Sequence, residues 1–568
     1  MCRGVHWSSQ ILELLDGFRI PRKLVERKSL LRQTIVIAFI MFGLQLAGSL
    51  LARAADITEP RYDVVVYGDS SGAVTAAVAA RRLGRSVILV NPACFPGGMS
   101  GSGLGATDFL GRRSTFGGIA SEFYDEIARH YGKTYVRSFE PHVGRMVFQK
   151  LIADAEVTVA FDEQLDRKSG VKMEGKLIVS ITTLNGKTYR GKMFIDATYV
   201  GDLMAAAGVT YTVGREAESQ YSENLAGVRR GDTKPRAHYT QGDKDHFIRD
   251  VDPYITPDDP DSGLLPLVYR IDNLVNDQGD RKIQAYNYRV CLTTDPKQRI
   301  PIEKPAGYRE IDHELLLRNF EAGDHRVPAL IEPLAGTGTK VDWNSMHAIG
   351  SDYAGVNWEY PEAGYQRRRE IEAAHETYIH GHLWTLSNNP RVPANIRRKV
   401  SAYGLPRDEF TDNGGWPYMI YIREARRMVS DYVMIQDDCE AKRAVKDSVG
   451  LASFGMDSHV VQYYVNEQGY VRRDGTIWRV PPRPYGISYR SIVPRRGECE
   501  NLLVPVCLSA SHVAHGSIRM EPVFMVLSQS AATAASLAIA DGVAVQNVQY
   551  AQLREQLLRD KQILKWPK

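Results

Sequence analysis

Apolar residues recur along this chain in two rhythms. Near the amino end, "DVVVY" (Asp63 to Tyr67) is a short, β-branched apolar run, the pattern of a strand buried on both faces of a parallel sheet. The loop "GDSSG" follows, and then the alanine-rich "AVTAAVAARRLG", which predicts a helix stopping at Gly84. "SVILV" predicts a second strand. Strand, tight turn, helix and strand within about thirty residues form the βαβ unit that the dinucleotide-binding motif requires. Far downstream, Met520 to Ala540 is apolar and rich in small residues, with Gly542 as its stop, and predicts a buried helix. Between these lie three predicted helices, "DHELLLRNFEAG", "YQRRREIEAAHETYIHGHLWTLS" and "IREARRMVSDYVMIQDDCE", and the strand-like "KIQAYNYRVCLTT". The polar, Pro/Gly-rich segment from Arg229 to Pro266 predicts a long loop or lid.

Aligned to G-x-G-x-x-G, the early loop offers Gly68, Ser70 and Ala73. Gly68 serves the turn leaving the strand, and Ala73 is an accepted replacement where helix meets sheet. Ser70 is small enough to admit a phosphate, and Gly72 adds backbone freedom. The helix N-terminus would supply N–H groups and a positive dipole end to that anion. Where an acid usually closes the second strand and holds a ribose, this chain has Asn91, which can accept one hydrogen bond and donate another. Directly afterwards, "CFPGGMSGSGLGATDF" and Gly111 concentrate glycines. Such a segment is expected where backbone lies against something flat or charged, as beneath a flavin ring.

At 568 residues, with 43% hydrophobic and 24% charged residues, the chain suits a folded protein of two packed domains. The first 54 residues carry a net +5 against a formal +4 for the whole, leaving the remainder near −1, so nucleic acid is not an expected partner. Basic residues, the uncharged stretch Thr34 to Leu51 and "ARA" (Ala52 to Ala54) follow one another as in an export signal. The alternative is an uncleaved membrane anchor over 34–51. "RKSLLR" resembles the twin-arginine export motif, used by proteins folded around a cofactor. A periplasmic or secreted protein is therefore expected. After cleavage Cys94, Cys291, Cys439, Cys499 and Cys507 remain, without a C-x-x-C, so neither structural zinc nor an iron–sulfur cluster is expected. A Cys499–Cys507 disulfide is open. So is the role of Cys94, as a redox or flavin-attached thiol or a plain buried one.

The stretches "GGMSGSGLGATDF", "GGIASEFYDEIARHYG", "EPHVGRMVFQKLI", "FIDATYVGDLMAAAGVTYTVGREA", "DEFTDNGGWPYMIYIREARRM" and "ISYRSIVPRRGECENLLVPVCLSASHVAHGSIRMEPVFMVLSQSAATAA" resemble a known group. It is the secreted branch of the FAD-dependent oxidoreductases, related to the flavoproteins of heterodisulfide reductases; some members are labelled xanthan-lyase-related. The resemblance covers Tyr62 to about Leu564. It implies an α/β fold: a glutathione-reductase-like, Rossmann-type FAD domain, discontinuous over 62–208 and 485–542. A mixed α+β substrate domain over 209–484 is inserted, and 543–568 forms a helical tail. It further implies that Gly68, Ser70, Gly72 and Ala73 meet the FAD pyrophosphate, Asn91 the ribose, Val157 to Val159 the adenine, and Gly97, Gly98 and Met99 the flavin region. Ala197 and Thr198 would return to the nucleotide, with Tyr199 in place of the usual closing glycine.

The helix from Met520 would aim its N-terminus at the flavin, which puts "SASHVAHGSIRMEP" in reach of the chemistry. His512 or His515 would act as base, unless each only hydrogen-bonds its loop. Arg519 or Glu521 would bind substrate or tune the ring. The two histidines lack a third ligand, so no metal is expected. Arg423 and Arg427, four apart on a predicted helix, would bind an acidic substrate or form a solvated or ion-paired face. Asp457, Ser458 and His459 invite a triad, but no G-x-S-x-G elbow accompanies them. The expected partners are a small, possibly sugar-derived substrate and an unidentified electron acceptor. The alternatives are a polysaccharide lyase, a non-catalytic binding protein and a flavin-carrying electron-transfer protein that works with a partner.

Overall fold

The first strand, β1 (Arg61–Tyr67), forms where the apolar run requires it, with Val64 to Tyr67 buried. The computed structural model describes residues 60–107, 113–231, 247–272, 274–336 and 338–567. The expected export signal, the 34–51 segment, Gly111 and the first part of the expected lid lie outside these. Helix α1 (Ser71–Arg82) starts at Ser70, whose hydroxyl caps it by accepting from the Ala73 N–H. β2 (Val87–Val90) pairs parallel to β1, with Val65 opposite Ile88 and Tyr67 opposite Val90.

After β2 come the short helix α2 (Gly98–Ser102), α3 (Gly118–His130) and α4 (Pro141–Asp154). β3 (Thr158–Ala160) then pairs parallel to β2. The strands β4 (Val171–Glu174), β5 (Leu177–Thr182) and β6 (Thr188–Asp196) complete the order β3-β2-β1-β6-β5-β4. β6 runs parallel to β1, with Tyr67 opposite Asp196. This is the parallel sheet of a Rossmann-like nucleotide domain, carrying an antiparallel extension.

Further along the chain, β7 (Val290–Thr293), β8 (Ala329–Pro333) and β9 (Lys340–Ser345) form an antiparallel sheet in the order β8-β9-β7. The long helix α5 (Tyr365–Asn388) and the antiparallel pair of β10 (Met456–Ser458) with β11 (Ile477–Arg479) follow. The third helix expected from sequence does not form. Its span holds extended chain with the short strand Arg427–Met428 paired to Tyr211–Thr212, and only Gln436–Cys439 is helical. Tertiary pairing overrides helix propensity there. Arg423, Arg426 and Arg427 are each buried, on Asp352, on Asp202 with Glu362, and on Glu216 with Glu424. They therefore share no solvated helix face.

The chain then returns to the nucleotide domain. β12 (Leu502–Leu503) pairs parallel to β6, α6 (His512–Ile518) follows, and α7 (Glu521–Asp541) packs on α1. Small residues make that contact close: a Cβ on Gly72 would fall 2.3 Å from Ser528 Oγ. Thr75 Oγ1 donates to the Met525 carbonyl at 2.9 Å. The tail holds α8 (Tyr550–Arg559). Residues 60–568 cluster as one compact unit. Among the described cysteines no disulfide links Cys499 to Cys507, and Cys94 is exposed rather than buried.

Candidate functional site

Two cavities lie against the segment Tyr418 to Ile422. Tyr418, Met419, Ile420 and Ile422 line one, and Tyr421 lines the other. The segment therefore serves as the wall between them, with Ile420 and Ile422 on one side and Tyr421 on the other.

The first cavity, about 190 Å3, opens at the carboxyl ends of β1, β2 and β6, against Tyr67, Asp69, Pro92, Ala93, Thr198 and Val200. That is where α/β sheets bind nucleotides, at the point where strand order reverses. Gly68 touches the neighbouring strand end: a Cβ there would fall 2.5 Å from the Ala197 carbonyl carbon. Ser70 Oγ donates to Ala197 O at 2.6 Å. Of the expected phosphate residues Gly68, Ser70, Gly72 and Ala73, the first two are thus brought against Ala197, beside Thr198; Ala73 is hydrogen-bonded to Ser70, and Gly72 faces Ser528 and Phe524 of α7. Val157 lies just before β3, buried, and Val159 pairs with Leu89. Asn91 is buried, but it accepts from the Ala93 N–H at 2.8 Å and donates to Phe95 O at 3.0 Å. Its polar atoms therefore hold the loop after β2 rather than facing the cavity.

The glycine-rich segment lies against the protein's own chain. At Gly97, with φ +91°, a Cβ would meet the Phe148 ring at 2.1 Å. At Gly98, with φ +54°, it would meet the Tyr199 hydroxyl at 2.3 Å. The buried Met99 donates its N–H to that hydroxyl at 3.0 Å. Tyr199, where a glycine was expected, thereby fills the space between the start of α1 and α2.

Glu521 and Met520 begin α7, and both are buried. Glu521 does not line the second cavity. Its carboxylate crosses to α1, accepts from the Tyr199 hydroxyl at 2.7 Å and from Ser71, and burial lifts its pKa to about 7. Burial likewise lifts Asp69 to about 7, with the Asp202 charge adding to the effect; Asp69 Oδ1 has no hydrogen-bond partner.

These features test the fit of a dinucleotide. A helix N-terminus that already seats a carboxylate suits a phosphate oxygen, and a buried carboxyl oxygen without a partner points to a polar group still to be met. The match to a family model, over residues 63–557, carries the description "FAD dependent oxidoreductase". The chain belongs to the FAD-dependent oxidoreductase family. Its cofactor is FAD, and the residues at the start of α1, α2 and α7 fit it.

No curated protein matches this oxidoreductase. Solved structures match parts of it at low similarity. They include a flavoprotein/dehydrogenase from Cytophaga hutchinsonii (16% identity, 26% of this chain and 42% of that one, TM-score 0.21). A 3-ketosteroid-Δ4-(5α)-dehydrogenase from Rhodococcus jostii matches at 16% identity over 27% and 50%, TM-score 0.18. Thioredoxin reductase of T. acidophilum matches at 20% over 29% and 41%, TM-score 0.16. The match spans half or less of each of these structures.

The second cavity of the oxidoreductase, about 220 Å3, carries several charged side chains on its wall. Arg519, at the end of α6, reaches it and donates to Tyr421 Oη at 3.0 Å and to Asp457 Oδ2 at 2.9 Å. His459 follows β10, and its side chain is 18% exposed. Its Nδ1 lies 2.7 Å from Asp352 Oδ2 and its Nε2 3.4 Å from Asp457 Oδ2. Burial and Arg423 act to depress His459, but Asp352 and Asp457 outweigh them and raise its pKa. Burial acts to raise Asp352, yet Arg423 and then His459 hold it far below the usual carboxylate range. Arg137, Arg289 and Arg473 complete the wall, Arg137 ion-paired with Glu332 and Arg289 with Asp342.

Of the four side chains expected to carry the chemistry, only Arg519 lines this cavity. His512 is buried on Glu424, with Nδ1 2.8 Å from Oε2. His515 is buried beside it, and burial depresses its pKa to about 3. His512 belongs to the internal network of Glu216, Glu424 and Arg427, whereas His515 Nδ1 has no hydrogen-bond partner. His459 and Asp457 were visible in "MDSHVV", but their partner Asp352 lies about a hundred residues away and no local spacing announces it.

One further cluster has metal-ligand chemistry. Glu140, His142 and Glu409 approach one another, but Lys340 Nζ sits 2.8 Å from Glu140 and 3.1 Å from Glu409 and already supplies the cation.

Proposed function

We propose that this FAD-dependent oxidoreductase oxidises a small organic acid, of the sugar-acid type, held in the cavity walled by Arg519, Arg289, Arg137 and His459. The observation that carries this is the His459 imidazole on Asp352 in a cavity lined by four arginines. FAD, when bound, supplies the acceptor for a hydride from the substrate carbon. Asp352 fixes the ring through Nδ1–H, and the neutral imidazole, populated above its raised pKa, takes the hydroxyl proton at Nε2, which lies 3.4 Å from Asp457 Oδ2, as the C–H bond breaks. Arg519, steadied by Asp457 and Tyr421, orients the carboxylate, since a guanidinium fork matches it in shape and charge. Export by the amino-terminal segment and reoxidation by an external acceptor complete the proposal.

The test is anaerobic bleaching of the flavin by a panel of hydroxy and sugar acids beside their neutral counterparts. An acid should bleach it. His459→Gln should retain FAD yet slow bleaching by about 10²–10⁴-fold, the usual worth of a general base. Bleaching by neutral sugars alone, or an undiminished rate in His459→Gln, would overturn it.

A further inference from the structure

Glu521 opens α7, yet its carboxylate is spent on the start of α1. Oε1 accepts from the Tyr199 hydroxyl at 2.7 Å, and Oε2 lies 3.5 Å from Ser100 Oγ. The N–H of Ser71, the first residue of α1, also acts on it, while the Ser71 hydroxyl lies 3.5 Å from the Glu521 main-chain oxygen. Donors from three separate parts of the chain thus converge on one buried carboxylate. All of them are neutral, and no lysine, arginine or histidine is among the leading influences on it. The titratable neighbours are Tyr199 and, beyond it, Asp69. Asp69 in turn feels Asp202 and Asp196, and Asp202 is neutralised by Arg368 and Arg426.

A helix N-terminus with converging hydroxyls and no cation is the equipment of a phosphate site. Asp69, in the same loop and lining the crevice, is a second, independent pointer to a ligand: its Oδ1 is buried and unpartnered, an acceptor left for a hydroxyl of the dinucleotide beside the phosphates. The loops are also drawn together here, since a Cβ on Gly98 would lie 2.8 Å from both Asp69 O and Ser70 Cα. A pyrophosphate arriving at α1 meets a resident anion on the same donors, and two anions in one buried site repel unless one is neutralised.

We propose that Glu521 is a placeholder anion in the FAD phosphate cradle, and that loading of FAD is coupled to uptake of a proton by its carboxyl. Glu521 then sets cofactor affinity and its pH dependence instead of binding substrate. With its carboxyl poised near pH 7 in the unloaded protein, the pyrophosphate shifts it to the protonated form. Tyr199 hands its hydroxyl from Glu521 to the incoming group. The proposal rests on the FAD assignment.

The experiment measures FAD affinity by quenching of flavin fluorescence, on protein stripped of flavin, from pH 6 to 8. FAD's pyrophosphate keeps its charge across that range. Wild type should bind about tenfold more weakly at pH 8 than at pH 6, as one linked proton requires. Glu521→Gln should flatten that dependence to within about twofold and bind more tightly than wild type at pH 8. Calorimetry of wild type at pH 7, in buffers of differing ionisation enthalpy, should register about half a proton taken up per FAD, a result independent of any variant. Tight wild-type binding with no pH dependence and no proton uptake would overturn the proposal and leave the FAD assignment standing. So would a dependence kept in Glu521→Gln and lost in Asp69→Asn. Failure of the wild type to bind FAD at any pH would instead strike the assignment itself.

Discussion

Replacing Gly72 with alanine places one methyl group at the crossing of α1 and α7, where the two halves of the nucleotide domain meet. The added carbon would stand 2.3 Å from Ser528 Oγ, 3.0 Å from Phe524 O and 3.2 Å from Ser528 Cβ. The first separation is impossible and the other two are tight, so the helices must separate or Ser528 must move. Overpacking of this kind costs about 1–3 kcal/mol, and the better helix propensity of alanine returns up to about 1 kcal/mol. A net loss of about 1–2 kcal/mol is expected. Ser528 Oγ is buried and unpartnered, so Ser528→Ala alone should be neutral or stabilise by about 1 kcal/mol. Combined with Gly72→Ala it removes the worst contact and leaves a few tenths of an ångström to absorb. The double-mutant cycle should therefore show a favourable coupling of about 1–2 kcal/mol. Denaturant midpoints followed by tryptophan fluorescence provide the measurement, with retained FAD as a second readout. Additive effects, or a Gly72→Ala protein as stable as wild type, would mean that α1 and α7 do not approach this closely.

Two other substitutions probe the buried charges. Arg427 is fully buried between Glu216 and Glu424; Arg427→Met strands both carboxylates and should cost about 3–5 kcal/mol in chemical denaturation, whereas a loss under about 1 kcal/mol would show the network to be solvated. His382, on α5, is buried with both ring nitrogens unpartnered, and burial depresses its pKa to about 3. Its folded pKa lies below the ordinary 6.5, so its contribution to stability is present above that pH and is lost as pH falls toward 3. His382→Leu removes this loss. Relative to wild type it should gain about 2 kcal/mol between pH 8 and pH 5, and parallel stability curves across that range would refute it.

Local pattern was enough to read the nucleotide half. The β-branched run at Val64 to Val66, the serine-capped alanine helix and the small-residue helix from Glu521 each carry a periodicity and a stop signal within a few residues. The same sort of evidence misled over Ile422 to Glu440, where good helix formers are drawn into extended chain. There, pairing with Tyr211–Thr212 and burial on separate carboxylates outweigh an intrinsic preference worth only tenths of a kcal/mol per residue. Asn91 and the glycine stretch were legible as loop chemistry, though what they would lie against was not.

By itself, then, the amino-acid order determined the elements of the βαβ unit, the apolar helix that packs on it and the family to which both belong, because these depend on neighbours three or four residues away. Only the tertiary structure decided that Glu521 meets Tyr199 across 322 positions and that His459 meets Asp352 across 107. Such meetings follow from which faces are buried together, and the charge each side chain then carries is set by desolvation and by partners that no local spacing encodes.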